Sequence, residues 1–371
     1  MRFIIFLNTI LLFSTFGYGQ STYVPDDNFE QALIDLSLDD ILDDYVLTES
    51  IDTVLELIIT DLEIASLEGI SDFTALTVLR CANNDLVALN MSMNLNLRVL
   101  GFETNNITSL DVSGCEELET LVGPMNELSS LDLSSNVALE KLVVYKNNLT
   151  ELDLGSNISL EVLVVSENNL TELDLTSNAN LFYLVCPLNE LTSLNVTGLA
   201  ALATISCEEN NLSHLDLSSN ISLNDFICQF NELTYLNLKN GNNLAICDEC
   251  FSCVNNPDLD CVTVDDPVYS DETWINHNDH TIFSEECFLG IEKGSITETT
   301  IYPTPANTKL NVTINKANAA YKLYDIAGKL VFSGALSKGI NTINVEELNT
   351  GVYFLQIDGD NYHETQKTII K

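Results

Sequence analysis

The chain has 371 residues, 46% of them hydrophobic, and carries 55 acidic against 14 basic side chains, a net charge of −41. Such apolar content makes disorder the wrong default, and such negative charge disfavours binding to nucleic-acid phosphates or anionic lipid headgroups. Residues 291–371 hold eight lysines and eight acids, so the whole excess lies in 1–290, and the shift marks a domain boundary near 290.

Residues 1–19 have the build of an export signal. Arg2 supplies the positive end, Phe3–Phe16 a mostly apolar run, and Gly17-Tyr18-Gly19 the small residues ahead of a cut before Gln20. No later segment approaches the ~18 apolar residues that a spanning helix needs. An N-terminal cap is expected over 20–66. Within it Pro25–Leu36 predicts a helix, with acids in the first turn and Phe29, Leu33 and Leu36 on one face.

From 67 to 246 the chain repeats itself. LDLSSNVALEKLVVYKNNLTE at 131–151 is followed by LDLGSNISLEVLVVSENNLTE at 152–172, and starts recur every 21 residues from 89 to 236. A period of this length predicts a solenoid, because one coil cannot enclose its own leucines while stacked coils bury a continuous column of them. Twenty-one residues leave no room for a long helix, so each coil is expected to carry two short strands joined by turns, about nine coils stacked at ~4.8 Å. The second half of each coil reads Leu-x-x-Leu-x-Leu-x-x-Asn-x-Leu, as in Leu160–Leu170. This is similar to the leucine-rich-repeat signature. The asparagine column Asn84, Asn105, Asn126, Asn147, Asn168, Asn189, Asn210 and Asn231 is expected to be architectural, a short amide serving backbone groups at a buried turn.

Other columns are open to more than one reading. Asp111, Asp132, Asp153, Asp174 and Asp216, with Asn90, Asn195 and Asn237, stand once per coil at the outward position of the Leu-Asp-Leu segment. Like charges at strand spacing repel, so this is either a solvated column bonded along the turns or a calcium-binding one. Cys81, Cys186, Cys207 and Cys228 share the inward position of Phe102, Val144 and Val165. They are expected to be buried and unpaired, with a disulfide or zinc ladder as the alternative. Cys115 replaces an asparagine and reads as structural. Outward positions flanking the second strand carry Val122, Val143, Val164 and Val185 in one row, bordered by Lys141, Val162 and Tyr183, by Tyr145, and by Lys146 and Leu188. An exposed apolar stripe of this kind marks a partner site, unless valine is there only for strand propensity.

Residues 247–288 form a cysteine-rich end cap with Cys247, Cys250, Cys253, Cys261 and Cys287. In an exported chain disulfides outrank a metal site, and Cys261–Cys287 is the expected pair, the partners of the others being open. A linker is expected at 289–299. From 300 to 371 alternating strands with glycine turns predict a small β-sandwich. Its Tyr302-Pro303-x-Pro305-Ala306, Tyr324-Asp325 with Gly328, Gly351-Val352-Tyr353 and the terminal Lys371 resemble the C-terminal sorting domain of the type IX secretion system of Bacteroidota, with Thr304 where that family has Asn. The resemblance implies passage from the periplasm across the outer membrane, removal of the domain, and release or surface attachment. It also implies the type IX machinery as a partner.

Signals for chemistry are poor. None of His214, His277, His280 and His363 lies in HExxH, and no nucleophile elbow or phosphate loop appears. No catalytic residue, metal or cofactor is expected. The fold class is mainly β, a leucine-rich-repeat solenoid with an N-terminal helical cap followed by a small sandwich. The expected function is non-catalytic binding or adhesion at the cell surface, through an unidentified protein or glycan. A carbohydrate-active protein and a spacer without a partner are the alternatives.

Overall fold

The computed structural model describes residues 19–287, 300–303, 305–314, 319–359 and 362–371. The signal segment up to residue 18, the linker expected at 289–299 and Thr304 lie outside the described residues. The chain divides into two compact units, one ending at Cys287 and the other beginning at Phe288.

In the first unit each coil contributes one strand of two or three residues to a ten-stranded parallel sheet. It runs from Glu56–Ile58 through Val78–Arg80, Lys141–Val143 and Val162–Val164 to Phe251–Ser252. The register follows the repeat: Leu163 stands between Leu142 and Leu184, and Val164 between Val143 and Val185. Period-2 alternation sends the middle leucine of each strand into the core and its two neighbours outward. Sizes along the inward column match. A Cβ on Gly123 would lie 2.0 Å from the ring of Phe102 in the preceding coil, so the glycine is what makes room for that ring.

One amide locks each coil to the next. Asn147 Oδ1 accepts from Leu128 N–H at 3.0 Å, and its Nδ2 donates to the carbonyls of Gly123 and Val144 at 3.1 Å. The same set recurs at Asn84, Asn105, Asn126, Asn168, Asn189, Asn210 and Asn231. A second buried column, Asn94, Asn136, Asn157, Asn178 and Asn220, donates Nδ2 to two carbonyls of the coil before. Cys115 stands in this second column, and its thiol reaches the carbonyls of Met91 and Asn94 as an amide there would.

The second strand expected in every coil forms only in some. Ala88–Asn90 pairs with Ser109–Asp111, and His214–Asp216 pairs with Tyr235–Asn237, but the segments 131–133 and 152–154 form no ladder. The parallel stack also continues beyond 246 into the cysteine-rich segment. Cys261–Thr263 pairs with Tyr235–Asn237 and then with Ile282–Ser284. Asn256 takes the part of the column asparagine, accepting from Leu233 N–H and donating to Cys228 and Cys253 carbonyls. Cys253 thereby joins the inward cysteine column.

Both ends are sealed. At the start a helix over Asp27–Asp35 is capped by Asp26, whose Oδ1 accepts from Asn28 and Phe29 N–H while Oδ2 accepts from Ala65 and Ser66. Phe29, Ala32 and Leu33 are buried, whereas Leu36 is the C-cap and is exposed, one residue past the buried face. At the far end Trp274 is fully buried, stacks on Phe251 at 4.4 Å, and donates its indole N–H to Ile246 O. Disulfides join Cys247 to Cys250 and Cys261 to Cys287.

The second unit has two antiparallel sheets. One holds Thr300–Tyr302, Lys309–Ile314 and Gly339–Asn344; the other holds Leu330–Leu336, Ala319–Asp325, Gly351–Gly359 and Tyr362–Ile370. Leu310, Val312, Leu323, Leu355 and Ile357 are among its buried residues.

Asn147→Ala leaves buried donors and acceptors unmet in two coils, and urea unfolding should show a loss of about 3 kcal/mol. Six cysteines (Cys81, Cys115, Cys186, Cys207, Cys228 and Cys253) are buried and free, so a thiol reagent should find none in the native protein and six after unfolding without reductant. Burial pushes Cys81, Cys186 and Cys253 up to about 12 from 9.0, and Cys207 and Cys228 well above 9.0. The unfolded thiols ionise first, so stability is intact below pH 9.0 and falls as the pH climbs from there towards 12. Melting curves across that range check the slope.

Candidate recognition face

The outward side of the ten-stranded sheet gathers Val122, Lys141, Val143, Val162, Val164, Tyr183 and Val185, with Tyr145 two residues past the end of the strand Lys141–Val143. Lys146 and Leu188 border it on the turn that follows. Sequence reasoning expected an exposed valine stripe. Val122, Val143, Val162, Val164 and Val185 are instead half-buried. Parallel neighbours in register cover one another's flanks, so a valine row closes into a smooth apolar band. What protrudes stands beside that band: Tyr183 is 37% exposed, Leu188 43%, Met125 41% and Phe230 49%. Met125 and Phe230 share the column of Lys146 and Leu188, and their exposure makes them part of the same face.

That column has a backbone signature. Thr104, Met125, Lys146, Glu167, Leu188, Glu209 and Phe230 all have φ between 53° and 58°. Left-handed backbone costs a non-glycine residue about 1 kcal/mol or more. The stack enforces it here, because each of these N–H groups donates to a carbonyl in the following coil, as Lys146 does to Ser166 and Leu188 to Glu208. Their side chains are carried on fixed backbone at the rim of the sheet. Nothing in the residue types betrays the turn, since glycine and asparagine are the usual occupants.

Charge is unevenly spread around the coil. Arg80, Arg98, Lys141 and Lys146 lie on or beside this sheet, while Lys239 sits on the other side and pairs with Glu285. Arg98 pairs with Glu119, and Lys146 pairs with Glu167 at 3.5 Å. Both pairs are solvent-exposed and add little stability. Towards the far end the face turns acidic. Ser206 Oγ donates to Glu208 Oε2 at 2.6 Å, and burial followed by nearby Glu208 pushes Asp225 up.

The Leu-Asp-Leu side carries no basic group among the described residues that repeats with the coil. Asp132 Oδ1 accepts from Ser134 N–H at 3.0 Å, and Asp111, Asp153, Asp174 and Asp216 accept likewise from the residue two ahead. Those bonds hold Asp132 and Asp174 below the usual carboxylate range, the backbone N–H acting first; at Asp111 the Ser113 hydroxyl leads. Among the described residues no three His, Cys, Asp or Glu side chains are placed to hold a metal ion. His277 packs edge-on to Phe283 at 5.1 Å, beside His280 in a surface dip near Asn255 and Pro257.

In the second unit the motif residues are structural members. Ala306 is buried and bridges Ile370, its N–H donating to Ile369 O and its carbonyl accepting from Lys371 N–H. Asp325 accepts from Ala327 and Lys329 N–H in a turn that needs Gly328 at φ 75°. Asp325 stands opposite Tyr353, and Tyr324 opposite Phe354. Tyr353 Oη donates to Asn349 O at 2.9 Å, and Gly351 stands opposite Ile370. The three motifs are thus tied together through one sheet, while Tyr302, Pro303 and Pro305 remain at the surface.

Residues 300–371 match the family described as "Secretion system C-terminal sorting domain". No curated protein sequence gives a significant match. Among solved structures, InlP of Listeria monocytogenes is similar at 16% identity and a TM-score of 0.49, covering 94% of this chain and 96% of that one. The functional domain of InlJ from the same organism, which includes a cysteine ladder, is similar at 22% identity and a TM-score of 0.34, covering 95% and 99%. YopM from Yersinia enterocolitica is similar at 27% identity and a TM-score of 0.36, covering 43% and 39%. The solenoid assignment rests on the 21-residue register itself. No helix among the described residues is long and apolar enough to cross a membrane. The chain is a parallel β-solenoid of 21-residue coils followed by a segment, 300–371, that matches a secretion-system C-terminal sorting domain, which places the protein outside the cell or on its surface.

Proposed function

We propose that the solenoid is a non-catalytic binding module that recognises a protein partner through the face bearing Val143, Val164, Tyr145, Tyr183, Lys141 and Leu188. The sorting domain delivers it there through the type IX machinery, by way of the periplasm. The observation that carries the reading is the combination on one sheet. A half-buried apolar band is flanked by protruding aromatic and aliphatic side chains on fixed backbone, and four of the five basic groups described in an otherwise acidic unit lie on or beside it. Rigid aromatic and aliphatic anchors around an apolar centre are how protein interfaces concentrate affinity. The same tyrosines suit sugar rings, so glycans are the second ligand class to be screened.

The face is tested with the full chain. Binding partners are captured on immobilised wild-type protein, and their affinity is compared with that for the combined change Val143→Ser, Val164→Ser and Tyr145→Ser. Loss of at least tenfold, about 1.4 kcal/mol, is expected with the far-ultraviolet circular dichroism unchanged. Unaltered affinity moves the site off this face. Deleting 300–371 should leave the protein in the periplasm; a truncated chain that still labels at the cell surface removes the sorting role.

A further inference from the structure

Among the described residues Glu30 is the only charged side chain that is fully buried, at 0% exposure. It belongs to the helix Asp27–Asp35 and reaches into the loop at 36–44, which leads from that helix to the strand Tyr45–Leu47. Its Oε1 accepts from the N–H groups of Asp43 and Tyr45, both at 3.0 Å. Its Oε2 is buried and has no hydrogen-bond partner, and the same is true of Asp39 Oδ2 in the loop. The two groups feel each other. Burial pushes the Asp39 carboxyl up, and Glu30, Asp40 and Asp43 add to that push against the pull of the Asp40 N–H.

A glutamate is rarely buried unless it is paired, because an unpaired carboxylate gives up its hydration without return. No side-chain cation is at hand in this part of the chain: residues 20–79 contain no lysine, arginine or histidine. The aspartates on the Leu-Asp-Leu side have no comparable need, since Asp132 and Asp174 are exposed and water reaches them. Glu30 is enclosed. Its countercharge has to come from outside the chain, and a donor set made only of oxygens selects a hard cation. Calcium takes six to eight oxygens in flexible geometry, with backbone carbonyls and water among them, whereas magnesium demands a near-ideal octahedron. No third His, Cys, Asp or Glu side chain is placed to complete such a site among the described residues, so carbonyls and water fill the rest of the shell.

We propose that Glu30 Oε2 and Asp39 Oδ2 are ligands of one calcium ion in the N-terminal cap, with carbonyls of the loop and water completing its shell. The ion ties the loop to the helix. Through the bond from Tyr45 N–H to Glu30 it also holds the strand Tyr45–Leu47 against Ser21–Tyr23. Thr22 of that strand pair donates to Asp72 Oδ2 in the first coil at 2.6 Å, so the ion steadies the seal over the open end of the stack. Sites in extracellular modules bind calcium at ~10⁻⁴–10⁻³ M, which suits a protein delivered outside the cell. The cap holds the ion whether or not the sheet face binds a partner.

The test uses the full chain, stripped with a chelator and then titrated with calcium chloride while amide hydrogen exchange is read at Asp43 and Tyr45. At about 10 mM calcium both amides should slow about tenfold, the factor expected for a dissociation constant of about 1 mM. Magnesium chloride at the same concentration screens charge equally and should leave both near the metal-free rate. Glu30→Gln keeps an oxygen for the two N–H groups and removes the charge, and Asp39→Asn does the same at the second ligand; each should abolish the calcium response. Asp132→Asn should keep it. If Glu30→Gln does not fold, Asp39→Asn and the wild-type titration decide. No calcium effect on wild type, equal slowing by magnesium, or a response that persists in Asp39→Asn overturns the proposal. Protection that instead grows as the pH falls from about 7 to about 5, with calcium adding nothing, assigns the pair to a shared proton and overturns it too.

Discussion

A single asparagine side chain per coil sets the conditions for everything else in the solenoid. Its amide accepts from one backbone N–H and donates to two carbonyls, one of them in the coil before, as Asn147 does with Leu128, Val144 and Gly123. These backbone groups are buried at a turn where no ladder can reach them, and leaving them unmet would cost more than the bonds themselves return. No other short side chain offers an acceptor and two donors at that reach. The repeat length follows. Once the amide must meet the same three groups in each coil, an inserted or deleted residue breaks the contact unless it bulges elsewhere.

The amide also explains where the sequence is free to vary. It fixes the path of the turn, and the turn forces the preceding residue into left-handed backbone at Lys146, Glu167 and Leu188 alike. Side-chain identity there is released from the fold because the strain is borne by the stack. The strand positions flanking the inward leucine are similarly unconstrained on their outer side. A solenoid thus separates its letters into a set that must repeat and a set that need not, and the second set lies together on one face.

Much of this was legible in the residues. The leucine and asparagine columns state the coil length, the inward face and the parallel register, since a period of 21 permits only one in-register stacking. The sandwich of the second unit was legible for the same reason, through Tyr324-Asp325, Gly328 and Gly351. Other features depend on neighbours that are far apart in the chain. The half-burial of Val143 is a property of Val122 and Val164 beside it. The left-handed turn is imposed by hydrogen bonds from the next coil, and Lys146 or Leu188 gives no local hint of it. Asn256 stands in the amide column although the spacing from Asn231 departs from the repeat, so pattern matching stops before the fold does. The missing second strand is likewise invisible in the motif, since the Leu-Asp-Leu segment reads the same at 215–217, where a strand forms, and at 131–133, where none does.

The two faces of one coil obey different balances. On the sheet side, apolar neighbours in register attract, and stacking identical letters is favourable. On the Leu-Asp-Leu side, stacking identical letters places like charges together, and repetition itself becomes a source of repulsion. Aspartate is kept there because its carboxylate closes the local turn by accepting from the residue two ahead. Asparagine closes the same turn without charge, as Asn195 and Asn237 do. The choice between the two at each coil therefore leaves the turn intact and changes only the charge carried there. A solenoid that repeats for the sake of its core can still vary its surface charge, coil by coil, through a residue that the core never meets.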